Sequence, residues 1–453
     1  MRTSLAGAEG GSAEPHTPLR PARPSRRSLS MRLNSVTLVA GKVASMGLGF
    51  LFWLLAARLY APADVGLAAG AISAMMLCTQ LALLGIGSAF ILRLPRHRDR
   101  PAPLLDSAFT MVSLTSLAAG GLFLLLASGA FQELAVVGRG PMFATAFLAA
   151  CVLGTVGIVL DQVDTALRRG DPMLVRNVAF GVAALAALVA LTLADRGSLM
   201  VFLPWVAAGA AALGLGLLQL RRALWRYRFR PALHRAPSRE LVGAGLPNWA
   251  LTLTERAPGL ILPIVVVELL SPETNAFWYA VWMMAWVVYI VQIQVGMNLF
   301  AELARHPDGL HGAVRQGIRT SLALGALGAV GLAVTAELVL GMLGPGYADA
   351  GATPLRLLVV AVVPLTLVHA YFAACRATGA LTEATLVGAL SGTVAVVGAA
   401  IVSNEFGIPG MAVAWVTAQT LAGGWAAWRL RTFIARSGVR QASDAATEAA
   451  TAA

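Results

Sequence analysis

Apolar runs of about 20 residues, each ended by a short polar stretch rich in Pro, Gly or Arg, recur from residue 34 to residue 428. A helix rising 1.5 Å per residue needs a run of that length to cross the ~30 Å hydrocarbon layer of a bilayer. The punctuation predicts twelve helices: 34–57, 65–92, 105–130, 141–160, 174–194 and 199–220, then 243–270, 276–299, 318–343, 353–374, 383–402 and 409–428. The fold class that follows is all-α, a polytopic membrane protein.

Composition agrees with the pattern. The chain has 453 residues, 58% hydrophobic and 12% charged, about half the charge of a soluble domain. Residues 1–30 are rich in Pro, Ser, Gly and Arg without an apolar run, which predicts a disordered basic tail. Cys78, Cys151 and Cys375 fall in or beside apolar segments with no metal-like or paired spacing.

The longest basic connection, residues 221–240, divides the spans six and six. An offset of about 210 residues sets Pro62 opposite Pro272 and Gly170 opposite Gly379/Ala380. The expected organisation is a six-helix lobe over 31–220, a basic linker over 221–240, a second six-helix lobe over 241–430 and a tail over 431–453. Six crossings return the chain to its starting side, so the lobes share one orientation and enclose a central cleft.

Charge then fixes orientation. The net charge is +12, and the arginines gather in alternate connections while Arg58, Arg139 and Arg196 alone stand on the other side. That bias predicts a cytoplasmic membrane protein with both termini inside. No basic stretch is interleaved with aromatics on a polar surface, so nucleic acid is excluded as a partner. No phosphate-binding G-x-x-x-x-G-K-[ST] loop occurs, so the chain is not expected to hydrolyse ATP. Asp161 and Asp164 form an acidic pair with no nearby group suited to glycosyl transfer, and neither an enzyme activity nor a cofactor or metal is expected.

Three cations remain within apolar spans: Lys42, the only lysine among 34 basic residues, Arg256 and Arg356. A cation at the bilayer centre costs roughly 2.5–3.5 kcal/mol, so it faces water or a partner. Lys42 either snorkels to the nearby interface or faces the cleft, and Arg256 either pairs locally or faces the cleft. At the 210-residue offset Lys42 matches Thr252, one turn from Arg256. Glu255 is the candidate for ion coupling. Asn34, Asn248, Thr252, Thr254, Trp249, Gln292, Arg356 and His369 are candidate cavity-lining residues, with Trp282 beside them. Pro247, Pro258 and Pro263 predict a kinked or broken seventh span.

The segment "NSVTLVAGKVASMGLGFLFWLLAARLYAPADVGLAAGAISAMMLCTQLALLGIGSAFILRLP" resembles the start of polysaccharide-type lipid flippases. These belong to the multidrug/oligosaccharidyl-lipid/polysaccharide (MOP) exporter superfamily. "MLGPGYADAGATPLRLL", "DTALRRGD" and "CRATGALTEAT" resemble its loop patterns, and the likeness runs over 31–435. The resemblance implies a V of two lobes, MATE-like, around a cationic cavity, with Lys42 and Arg256 as cavity cations. It implies alternating-access export of an undecaprenyl-pyrophosphate-linked oligosaccharide, a surface polysaccharide precursor. Membrane lipid and the glycosyltransferases or polymerase of the same pathway would be partners. The alternative is a MATE-type multidrug or cation antiporter on the same scaffold, which calls for an acidic cavity.

Overall fold

The computed structural model describes residues 44–97, 100–167, 169–194, 196–224, 227–305 and 310–452, and these form helices and no strands. In chain order they are α1 (Ala44–Leu59), α2 (Pro62–Ala82), α3 (Ile86–Arg93), α4 (Ala102–Ala130) and the short α5 (Ala135–Arg139). Then come α6 (Pro141–Ala166), α7 (Gly170–Leu191), α8 (Ser198–Ala223), α9 (Arg235–Leu269) and α10 (Pro272–Arg305). The last are α11 (Leu310–Val334), α12 (Ala336–Gly341), α13 (Pro345–Leu358), α14 (Val362–Thr378) and α15 (Leu381–Ala452).

Ten helical stretches are long and apolar enough to cross a membrane, with α13 and α14 counting as one and Leu381–Ala435 as another. Gly407, at φ 56°, interrupts that last stretch and makes it two crossings. With the shorter apolar α1, the expected twelve are present among the described residues. Pro62, Pro141, Pro272 and Pro345 each open a helix that starts from the same side. Proline fits there because its missing N–H would have no partner in the first turn. At the arginine-rich side α14 ends at Gly379, φ 78°, where the Ala380 N–H returns to the Cys375 carbonyl at 2.9 Å.

Outward-facing apolar side chains such as Leu125, Leu193, Leu327 and Ile401 stay exposed, as a lipid-facing surface requires. The most enclosed of the early helices is α2, whose small residues Gly66, Ala69, Gly70 and Ser73 are buried. Small side chains let backbones approach closely where no water drives association. Helices α2–α8 pack among themselves, as do α9–α15, and α2 and α3 pack against α9 and α10 between the two groups. The helix starts that the sequence offset pairs touch: Asn275 donates to the Gly66 carbonyl at 2.7 Å.

Several expectations change. The second span breaks at Leu84 and Gly85, both at positive φ, so α3 is a separate helix. The seventh is not broken: α9 runs as one 35-residue helix through Pro247, Pro258 and Pro263. Neighbours brace it, since a β-carbon on Gly392 would lie 2.6 Å from the Pro258 ring and one on Gly259 2.6 Å from Trp282. The ninth span stops at Val334, and α12 covers the end of the predicted segment.

The linker is a pinned strap. Asp106 accepts the Tyr227 hydroxyl at 2.8 Å and the Arg230 N–H at 3.1 Å, Thr110 accepts the Ala232 N–H, and Ser107 accepts the His234 N–H. Burial and the neighbouring Asp106 carboxylate push the Tyr227 phenol well above its ordinary pKa. The last helix continues through Ala452, where a tail was expected from 431. The N-terminal tail, Asn34 and Lys42 lie outside the described residues.

Candidate transport cavity

A cavity of about 500 Å³ is lined by α2, α6, α7 and α8 from the first group of helices and by α9 and α10 from the second. Two helical turns of α2 supply Ser73, Met76, Thr79 and Gln80. Aromatic walls come from Phe180 and Trp205 on one side and Tyr279, Trp282 and Trp286 on the other. Trp282 is fixed by stacking on Trp278 and by an edge contact with Trp415. The buried Thr79 hydroxyl and Trp205 indole N–H have no hydrogen-bond partner among the described residues. Unpaired polar groups of this kind are costly unless a ligand or water meets them.

The charged residues on the lining are Arg256, Arg176 and Asp161. Arg256 is exposed to the cavity and has no hydrogen-bond or salt-bridge partner among the described residues. Arg176 is buried between two α6 carboxylates: Nη1 donates to Asp164 at 2.9 Å and Nη2 to Asp161. Both line up because Asp161 and Asp164 are three apart on one helix face.

A second, much smaller pocket of about 40 Å³ lies among α9, α10, α14 and α15 and is lined by Thr254, Glu255, His369 and Gln419. Arg376 donates to Glu255 at 2.9 Å, and the His369 ring stands 3.8 Å from the same carboxylate. Glu255 and Arg256 thus serve different spaces, as adjacent helical positions about 100° apart must.

No family model matches the chain, and no curated protein matches it by sequence. Solved structures do match in shape. The lipid II flippase MurJ, in an inward closed conformation, superposes with a TM-score of 0.70 at 11% identity, covering 87% of each chain. A multidrug resistance MATE transporter of the MOP superfamily, inward-facing, gives 0.64 at 14% identity over 87% of this chain and 95% of that one. The fold is that of the MOP superfamily transporters. A further MOP transporter, from Pyrococcus furiosus, gives 0.57 at 15% identity over 90% and 95%, and its binding pocket is described as reversed in polarity.

Within this MOP fold the sequence-selected residues separate. Arg256 and Trp282 line the large cavity; Thr254, Glu255 and His369 line the small pocket. Trp249 instead ties α9 to α2, its indole donating to the Gln80 carbonyl at 2.8 Å. Thr252 bonds back to the Asn248 carbonyl, and neither side chain reaches either pocket. Gln292 is buried against Gly325 of α11. Arg356 sits at the arginine-poor end, paired with Glu337 at 2.9 Å, and does not line the cavity. The cavity is also lined by residues that sequence reading passed over. Arg176 reads as one more loop arginine, yet it lies inside α7; its spacing from the acidic pair was the available signal. Trp205 and Thr79 carry no signal in an apolar run.

Proposed function

We propose that this protein is a transporter that moves a polyprenyl-pyrophosphate-linked oligosaccharide across the cytoplasmic membrane. Two six-helix lobes, 31–220 and 241–430, would alternate in opening the cavity to either side. The observation that carries this reading is Arg256, a guanidinium exposed to the cavity with no ion-pair partner among the described residues. A diphosphate cannot enter ~30 Å of hydrocarbon unshielded, whereas its prenyl chain can remain in lipid. The protein then has only to shelter the head. Arg256, unpaired and facing the cavity, presents the planar fork that matches phosphate oxygens. Lys42 is proposed as its partner from the first span. The flat faces of Trp205, Tyr279 and Trp282 suit sugar rings, and the unpaired Thr79 and Trp205 groups suit sugar hydroxyls.

Drive would come from a gradient, with the Glu255–His369–Arg376 cluster as the coupling site and both termini on the cytoplasmic side. The test is flipping of a fluorescent undecaprenyl-pyrophosphate sugar in vesicles that hold the purified protein. Transport by the native protein and its loss in Arg256→Ala is the expected result; equal transport by both would reject the reading.

A MATE-type antiporter of organic cations is the second reading, favoured by Asp161 on the wall beside several aromatic faces that attract cations. Proton-driven ethidium uptake into the same vesicles, abolished in Asp161→Asn, would select it instead.

A further inference from the structure

We propose that the strap is a binding site for an acidic phospholipid of the leaflet at the arginine-rich face. The headgroup phosphate meets Arg228 and Arg230, and the acyl chains lie along the exposed apolar stripe of α4. This holds whatever the cavity carries.

The place of the strap follows from α4. Its 29 residues span about 44 Å against ~30 Å of hydrocarbon, so its first turns stand at the level of the headgroups. Ser107 and Thr110, which hold the strap, share one helix face with Leu114 and Leu117, at steps of three and four residues. Both leucines are exposed, and on a membrane-crossing helix that is the lipid side. The strap therefore covers the end of a lipid-facing stripe. Its outer neighbour is the headgroup layer.

Held there, it shows the bilayer two kinds of side chain. Arg228 and Arg230 are exposed, as are Arg235 and Arg239 in the first turns of α9. Between them Phe229 and Leu233 are 41% and 55% exposed, although Phe229 keeps an edge contact with Phe109 of α4. Cations interleaved with apolar side chains suit a segment lying in the membrane interface, with charge among the phosphates and apolar groups below them.

Charge gives the sign of the ligand. None of these four guanidiniums has a carboxylate partner among the described residues, whereas Arg93, Arg305, Arg376 and Arg429 each meet one. The carboxylates close by are engaged: Asp106 accepts the Tyr227 hydroxyl and the Arg230 N–H, and Glu240 meets Arg93 and His97. Arg235 and Arg239 also stand near a helix start, which favours negative charge, and the first turn of α9 holds no acidic residue. A lipid phosphate supplies that charge, in the geometry a guanidinium fits best. Because the strap leads from α8 to α9, a lipid bound there sits at the joint between the two groups of helices.

The test is native mass spectrometry of the purified full-length protein, titrated with phosphatidylglycerol or with phosphatidylcholine of the same acyl chains. The native protein should bind one phosphatidylglycerol roughly tenfold more tightly than phosphatidylcholine, the scale set by two arginines at an anionic headgroup. Arg228→Gln with Arg230→Gln should abolish the preference. Arg315→Gln with Arg319→Gln takes the same charge from exposed positions of α11 and should keep it. Asp106→Ala makes the protein more positive but releases the strap, so a built site predicts a weaker preference and plain charge attraction a stronger one. Ser107→Ala with Thr110→Val releases the strap at constant charge and should act in the same direction, which covers the case of an unfolded Asp106→Ala.

Equal binding of the two lipids by the native protein overturns the proposal and leaves the exposed arginines to a protein partner. A preference that survives Arg228→Gln with Arg230→Gln, falls equally in both arginine pairs, or grows in Asp106→Ala overturns it as well. On the native protein in phosphatidylcholine nanodiscs, added phosphatidylglycerol should slow tryptic cleavage after Arg228 and Arg230; an unchanged rate counts against the strap as the site.

Discussion

Arg256 and Glu255 are neighbours in sequence with separate surroundings, one exposed to the main cavity and the other paired to Arg376 beside His369. Replacing Arg256 by Ala should lower transport at least tenfold, the loss of a charge-assisted contact of ~1.5–3 kcal/mol, with the protein still inserted in the membrane. The same result is expected for Lys42→Ala, with partial activity kept by Lys42→Arg, measured by surface polymer against protein in the membrane fraction. Glu255→Gln should reduce the dependence of vesicle transport on an imposed proton or sodium gradient; an unaltered gradient response would remove Glu255 from coupling. Single charges inside apolar runs are easy to see because the membrane makes them expensive, which is why Arg256 was legible. Arg176 was not, because it lies only two turns from a loop full of arginines and its partners come from another helix. The ion pair of Arg356 with Glu337 depends on where the ninth span stops, and hydropathy does not locate that end.

Helix α2 lies against the start of α10, and the turn between α2 and α3 lies against α9; both contacts depend on the absence of side chains. A β-carbon on Gly66 would fall 1.7 Å from the Pro272 carbonyl oxygen, and one on Gly85 2.1 Å from that of Gly245. Gly85 also sits at φ 74°, so Gly85→Val combines a clash with a disfavoured backbone. It should destabilise the protein more than Gly243→Val, where no atom lies within 4 Å of the added carbon; thermal melting of the purified proteins compares them. The spans themselves follow from apolar length, and the sequence pattern locates them well. Whether a proline breaks a helix depends on what packs against it, so α9 reads as kinked or broken and folds as one unbroken helix. The strap also escapes sequence reading, since its order rests on Asp106, Ser107 and Thr110 of α4. Asp106→Ala should weaken it by about 1–3 kcal/mol, seen as faster tryptic cleavage after Arg228 and Arg230.

Across the whole molecule, polar clasps join the two groups of helices at both membrane faces. On the arginine-poor face Glu268 accepts the N–H groups of Gln132 at 2.7 Å and Leu134 at 2.8 Å, and Arg58 donates to the Met342 carbonyl at 2.8 Å. On the other face His97 and Arg93 meet Glu240 at 3.2 and 3.4 Å. Under the proposed alternating access each clasp would open in turn. Cysteines at positions 93 and 240, joined by a short bismaleimide, should therefore stop transport, and so should cysteines at 58 and 342. Cys78, Cys151 and Cys375 are buried and free, and are replaced beforehand. Transport that persists with either pair joined would show that the corresponding face need not separate. Repeat and orientation are expectations read at this scale from an offset and from the arginines, whereas the clasps pair residues over 130 positions apart, through backbone groups on one face and through the Glu240 ion pairs on the other, and sequence spacing marks neither. The strap has one last bearing on how the chain can be assembled. Residues 227–234 belong by sequence to the segment entering α9, yet their bonds are made to α4. Two polypeptides cut between residues 224 and 227 would then carry a built-in docking peptide, and co-translation of the fragments should reconstitute a working transporter where a cut after residue 234 does not.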